Sequence, residues 1–252
     1  MDLKIKSKNV LIVGASKGIG RSIALAFAEE NTRITTIARS RDLLLSLEQE
    51  ISEKNHLDHA FYIADLINEN PNALAKKIIQ ERGVFDIVVH NVGGSLVGNN
   101  PLGTIEEWYH AWRLNAGIAI DMNNILIHPM IDKGWGRVIH ISSISGVYLR
   151  GNPLYASSKA FLNAYVTSVG RYLANKGVIM SAVLPGAITF PGGYWDKKTK
   201  EQPNVCQDFL RHHQAVNRFG TTKEIADVVL FLASENASFM HSALVPVDGG
   251  NM

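Results

Sequence analysis

The chain has 252 residues, a formal net charge of +2 and 46% hydrophobic residues, enough apolar material for one large α/β domain. So mild a charge gives no electrostatic footprint for nucleic acid or a membrane surface, and no apolar run is long enough to span a bilayer. The lone cysteine, Cys206, excludes an internal disulfide and fits a reducing compartment, and residues 1–8 are polar and basic without a signal peptide's apolar stretch, so a soluble cytoplasmic protein is expected.

Apolar strands alternate with helical patterns along the whole chain. Strands are predicted near 9–13, 33–38, 59–63, 86–90, 136–142, 178–184 and 243–247, and helices over 18–30, 41–54, 68–82, 104–133, 153–176 and 222–234. Such alternation implies right-handed crossovers. It predicts a single doubly wound α/β domain over 1–252, a predominantly parallel seven-stranded sheet with helices on both faces. Ligands then bind beyond the carboxyl ends of the strands, at the switch in strand order.

The first strand, Asn9-Val10-Leu11-Ile12-Val13, runs straight into Gly14-Ala15-Ser16-Lys17-Gly18-Ile19-Gly20 and a helix. Glycines at such a junction permit a tight turn and close approach of backbone N–H groups to a pyrophosphate at a helix N-terminus. Further on, Arg137-Val138-Ile139-His140-Ile141 reads as a buried strand ending at Ser142-Ser143. The helix after it opens with Tyr155-Ala156-Ser157-Ser158-Lys159. Positions four apart share a helix face, so Lys159 stands one turn from Tyr155 and is expected to lower the phenol's pKa. A hydroxyl from the strand end can reach the same spot and bond an oxygen whose charge changes during reaction.

The spacing Gly14-x-x-x-Gly18-x-Gly20, together with Ser143, Tyr155 and Lys159, resembles the short-chain dehydrogenase/reductase family over essentially all 252 residues. The resemblance implies a Rossmann-type NAD(P)-dependent oxidoreductase with Asn115, Ser143, Tyr155 and Lys159 as the catalytic set. Asn115 lies in Arg113-Leu114-Asn115-Ala116-Gly117, where Asn and Gly are poor helix formers. The family has a local helix distortion there, whose carbonyl holds a water linked to the lysine. Ser143, followed by Ile144-Ser145-Gly146, fits the family serine, with Ser142 in reserve.

For the cofactor, the resemblance implies contacts from Gly14, Ser16, Lys17, Gly18, Ile19, Gly20, Arg39, Asp65, Leu66, Asn91, Gly93, Tyr155, Lys159, Pro185, Gly186 and Ile188. The second strand ends in Ala38-Arg39, where NAD-preferring folds carry an acidic residue. A guanidinium there, helped by Lys17, can clamp a 2′-phosphate, so NADP(H) is expected to be preferred, with NAD(H) as the alternative. Asp65 suits the family residue that meets the adenine amino group, or a cap for the helix that follows. Departures are His90 and Val92 in His90-Asn91-Val92-Gly93, Phe190 where the family has threonine (Thr189 lies one position early), and His241-Ser242 in place of Thr-Gly. His90 reads as a hydrogen-bonded structural residue, and no metal-ligand spacing stands out among the histidines.

Residues 190–219 fall where relatives carry a substrate lid. Gly192 and Gly193 offer a hinge, and Tyr194 and Trp195 an apolar face. Lys197, Lys198, Lys200, Arg211, His212 and His213 either meet an anionic part of a substrate or merely keep the lid solvated. Ala156, Ala160 and Ala164 form a small-residue stripe through which relatives pair this helix, so a homo-oligomer, dimer or tetramer, is expected. The expected activity is NADP(H)-dependent interconversion of a ketone and a secondary alcohol, on a small polar or sugar-like carbonyl. A 3-oxoacyl-thioester (acyl-carrier-protein) reductase is the alternative, and a non-catalytic dinucleotide-binding sensor the alternative of another class.

Overall fold

The computed structural model describes residues 2–95 and 100–251. In chain order its strands are β1 (Asn9–Val13), β2 (Arg33–Ala38), β3 (Ala60–Ile63), β4 (Ile87–His90), β5 (Gly136–Ile141), β6 (Val178–Pro185), β7 (Ile188–Thr189), β8 (Gly220–Thr221) and β9 (Leu244–Val247). Its helices are α1 (Gly18–Glu29), α2 (Arg41–Lys54), α3 (Pro71–Arg82), α4 (Ile105–Trp112), α5 (Ile118–Lys133), α6 (Ser145–Tyr148), α7 (Pro153–Leu173), α8 (Tyr194–Glu201), α9 (Pro203–His213) and α10 (Thr222–Ala233). Seven strands pair in parallel in the order β3-β2-β1-β4-β5-β6-β9, the expected doubly wound sheet. Strand order reverses between β1 and β4. The carboxyl ends of those strands therefore flank a natural crevice.

Central strands read as unbroken apolar runs because both faces are covered. Along β1, Val10 and Ile12 point into a core with α1 and α10, including Phe27 and Val229. Leu11 and Val13 alternate into the opposite core, with Met122 and Leu126 of α5 and Val166 of α7. Each such side chain, fully buried, contributes about 1.5–3 kcal/mol of transfer free energy. No helix among the described residues is long and apolar enough to cross a membrane.

Three local differences from the sequence reading have physical causes. The helix expected over 104–133 is three pieces: α4, a π-helical segment Arg113–Gly117, and α5. The helix expected from 68 begins at Pro71, because the Asn70 side chain accepts from the N–H groups of Asn72 and Ala73. Asn70 is thus the cap, not Asp65. Within 190–219, a break at Gln202 separates α8 from α9, and the ends are pinned by pairing of β7 with β8 (Ile188 with Gly220, Thr189 with Thr221).

Candidate active site

The glycine turn is shaped by two positions that no side chain can occupy. Gly14 has φ +92°, and a Cβ on Gly20 would stand 2.1 Å from the Gly14 carbonyl oxygen. The Asn91 side-chain amide donates to that same carbonyl at 2.7 Å, tying the end of β4 to the turn. Lys17 starts α1 without a side-chain capping bond, so the helix N-terminus opens onto a cleft.

That cleft has a volume of about 380 Å³. Ser16, Lys17 and Ile19 line it beside Arg39, Asp65, Leu66, Asn91, Gly93, Ser143, Tyr155, Lys159, Pro185, Gly186 and Ile188. Gly14 lines it too, whereas Gly18 and Gly20 shape the turn from behind. Lys17 and Arg39 are exposed at its rim and form no ion pair among the described residues, and Ala38 is buried at the end of β2. Asp65 is held by its own turn, accepting from the Ile67 N–H at 3.2 Å and the Asn68 amide at 3.0 Å. Gly186 could carry no side chain here, since its Cβ would stand 2.7 Å from Cα of Asp248.

Helix α7 is placed by Asn152, whose side-chain oxygen accepts from the N–H groups of Leu154 and Tyr155 (2.9 and 3.2 Å), with Pro153 as the first helical residue. Tyr155 therefore sits in the first turn, and Lys159 Nζ is 5.7 Å from its ring centroid. Ser143 shares a hydrogen bond with the Tyr155 hydroxyl, and its oxygen also accepts from the Ser145 N–H at 3.0 Å. Ser142 faces elsewhere: buried, it donates to Asn163 Oδ1 at 2.6 Å. Of the two serines, Ser143 is the one beside the tyrosine.

Electrostatics depart from expectation at this point. Lys159 is buried and donates to the Ile141 carbonyl at 2.9 Å, and burial pushes its pKa down to about 7. Tyr155 is raised above its ordinary value by burial, with the Ser143 bond working the other way. The net displacement of the phenol is thus upward, the reverse of the expected direction, because burial outweighs the Ser143 bond.

Asn115 lies in the π-helical segment, where one extra residue per turn turns its side chain inward. Its amide donates to the carbonyls of Gly94 and Ala111 (3.1 and 3.0 Å), and its Oδ1 accepts from the Gly94 N–H at 2.9 Å. A Cβ on Gly93 would stand 2.8 Å from Asn115 Oδ1 and 3.0 Å from Lys159 Nζ. Glycine keeps this approach open, and it brings Asn115 to the lysine.

A second cavity, about 840 Å³, opens on the other side of the tyrosine. It shares Gly94, Ser143, Tyr155, Gly186 and Trp195 with the first. Helices α8 and α9 form its outer wall, and its lining includes Tyr148, Arg150, Lys198 and His213. Of the basic residues expected to meet an anion, Lys200 is paired with Asp196 (2.9 Å) and Arg211 with Asp208 (3.7 Å). Lys198 and His213 line the cavity; Lys197 and His212 do not.

Some of the site was not foreseen. Phe190, where the family has threonine, lays its ring over Gly18, 2.7 Å from where a Cβ would be. Thr189 is committed to the β7–β8 pair. Beneath the site, His90 Nε2 bonds Asn123 Oδ1 at 2.9 Å and stacks on His140 at 4.9 Å, and burial pushes the His90 pKa down to about 4. It is a neutral structural histidine. Its partner on α5, 33 positions away, leaves no local signal in the sequence. Ser242 takes φ +59°, a left-handed conformation that suits the family's glycine better.

A nucleotide-sized cleft at the β1/β4 switch, meeting a second cavity at a Ser–Tyr–Lys group, defines the class: a dinucleotide-dependent oxidoreductase fold. A family model described as enoyl-(acyl carrier protein) reductase matches residues 14–251. The chain belongs to the short-chain dehydrogenase/reductase family. It is similar to the 3-oxoacyl-(acyl-carrier-protein) reductases of Thermotoga maritima (27% identical, 98% of this chain and 99% of the relative) and Chlamydia muridarum (29%, 99% of each). Among solved structures, L-sorbose reductase from Gluconobacter frateurii, in complex with NADPH and L-sorbose, superposes with a TM-score of 0.92 at 28% identity, over 99% of this chain and 98% of that one.

Proposed function

We propose that this enzyme is an NADP(H)-dependent oxidoreductase interconverting a ketone and a secondary alcohol, with Tyr155 as proton donor. The carrying observation is that Ser143 and Tyr155 stand where the two cavities meet, so one face of a carbonyl can meet the cofactor cleft while its oxygen meets both hydroxyls. When bound, the nicotinamide cofactor supplies the hydride. The cleft fits such a group, because its lining runs from the glycine turn at the α1 N-terminus past Lys17 and Arg39 to Tyr155 and Lys159, and Gly14 and Gly20 let that turn pack against the end of β4 where a Cβ would collide with Val92, Asn91 or the turn itself. The glycine turn and the α1 N-terminus would hold its pyrophosphate, and Lys17 and Arg39 a 2′-phosphate. Tyr155 gives its proton to the carbonyl oxygen and Ser143 polarises that oxygen. Lys159 and Asn115 complete the route by which the proton is replaced.

A small polar or sugar-like carbonyl is the favoured substrate, supported by the likeness to the L-sorbose reductase. A 3-oxoacyl thioester is the second reading, supported by the acyl-carrier-protein reductases among the relatives. The complete set of Asn115, Ser143, Tyr155 and Lys159 counts against a sensor without turnover, which has no use for all four. A ketone and alcohol panel followed by nicotinamide absorbance tests the reading, and no turnover of any member contradicts it.

The cofactor preference has its own test. Wild type is expected to bind NADPH about 10–100-fold more tightly than NADH, the range for losing a charge-assisted phosphate contact. Arg39→Ala combined with Ala38→Asp should reverse the order by removing a cation and adding repulsion. Equal wild-type affinities in a fluorescence titration would contradict the roles given to Lys17 and Arg39.

The enzyme is further proposed to be cytoplasmic and to assemble as a dimer or tetramer. Ala156 is buried within the chain, so it cannot serve a partner as the stripe suggested, but Ala164 is exposed and Phe161 beside it is 45% exposed. On α4, Ile105 and Tyr109 add 74% and 61% exposed apolar side chains next to the Trp112–Phe161 contact. Light scattering at micromolar concentration should give the mass of a dimer or tetramer. A monomer alone would refute the assembly.

A further inference from the structure

The outer wall of the substrate cavity has a chemistry of its own. Trp195 of α8 lies against Phe209 of α9 at 4.3 Å and Phe219 at 5.0 Å, with Tyr194 edge-on at 5.1 Å. Phe209 in turn meets His213 at 5.3 Å. Lys198 donates to the Tyr194 hydroxyl at 3.1 Å, and its Nζ lies 5.4 and 5.7 Å from the Tyr194 and Trp195 ring centroids. These contacts hold the ammonium against the wall, half-buried. Its neighbour Lys200 and, on α9, Arg211 spend their charges on Asp196 and Asp208, whereas Lys198 enters no ion pair among the described residues. Among the described residues no aspartate or glutamate lines the cavity. A cation fixed over apolar rings, in a concave space without a carboxylate, is a place for an anion.

We propose that the α8–α9 wall selects ketones that carry a carboxylate on an apolar body, with Lys198 and His213 binding the anion and Trp195 and Phe209 packing the body. This rests on the reductase reading of the site and names the substrate class within it. Among the polar carbonyls favoured above, the wall singles out those that carry a carboxylate, because a neutral one leaves the Lys198 ammonium without a counter-charge. A carboxylate at the far end of the substrate also fixes its orientation, so its carbonyl is presented to Tyr155 in one pose.

The test compares 4-oxo-4-phenylbutanoate with its methyl ester, which differ in charge and hardly in shape. In wild type, kcat/KM for the acid should exceed that for the ester about tenfold, with the acid's KM rising with salt. Lys198→Met should bring the ratio close to one, and Lys198→Arg should restore it. A wild-type ratio of one or less, or a ratio indifferent to Lys198→Met, overturns the proposal. Calorimetric titration of NADP⁺-saturated protein with the same pair separates this from the reductase reading. Tighter binding of the acid, with no turnover of it or of any ketone or alcohol in the panel, would sink the reductase reading and leave the anion site standing. Equal binding, or none, would sink the anion site whatever the turnover.

Discussion

Replacing Lys159 by methionine is expected to raise the stability of the cofactor-free protein below pH 7 while abolishing measurable turnover. Lys159 is 3% exposed, and burial takes its pKa from the ordinary 10.5 down to about 7. Between those two values the unfolded chain binds a proton that the folded chain does not, so stability rises with pH across that window. The cost of burying the ammonium is therefore fully present below pH 7 and relieved towards pH 10.5. Methionine fills similar space without a charge and has no such cost. Its loss is the hydrogen bond to the Ile141 carbonyl, about 1 kcal/mol. A shift of one pKa unit is about 1.4 kcal/mol, so a net gain of a few kcal/mol is expected at pH 6, shrinking to nothing or reversing near pH 10. Calorimetric melting of both proteins across that range measures it. A variant no more stable than wild type at pH 6 would show that the buried ammonium costs nothing. A cost of this kind is common where an active site holds a desolvated group.

This cost also explains where the sequence was readable and where it was not. Helical spacing put Lys159 one turn from Tyr155, and the structure agrees. The upward direction of the Tyr155 shift was not legible because it depends on burial in the folded chain, opposed by the Ser143 hydroxyl, and burial is not visible in a local pattern. Strands β1, β4, β5 and β6 announced themselves as apolar runs because each is buried on both faces. The two-residue β7–β8 pair has no periodicity to detect, yet it closes the base of the 190–219 excursion. Asp65 was read as a possible cap, and only hydrogen bonding moves that role to Asn70, five residues on. The Asn115 distortion was suggested by poor helix formers and by family resemblance, while its grip on Gly94 came only with the fold. Charged residues on α8 and α9 were legible as a cluster, but which of them are neutralised by Asp196 and Asp208 was a matter of side-chain placement.

Tyr155→Phe is expected to keep cofactor affinity and lower turnover by about 10²–10⁴-fold, the share that general acid catalysis supplies. Phenylalanine retains the ring against Lys159 and removes only the hydroxyl bonded to Ser143. The fold is therefore preserved, and the loss should fall on kcat more than on KM. Near-wild-type turnover in this variant would remove Tyr155 from the role of acid, whatever else the site does.

The central claim is that hydride passes from a nicotinamide to a carbonyl carbon held between the two cavities at Ser143 and Tyr155. Single-turnover reaction with NADPH dideuterated at C4, followed by mass spectrometry of the alcohol, tests it most directly. The account predicts an alcohol heavier by one deuterium, at the carbinol carbon, formed rapidly by wild type and slowly by Tyr155→Phe. An alcohol formed without deuterium, or formed at the same rate by both proteins, would contradict it.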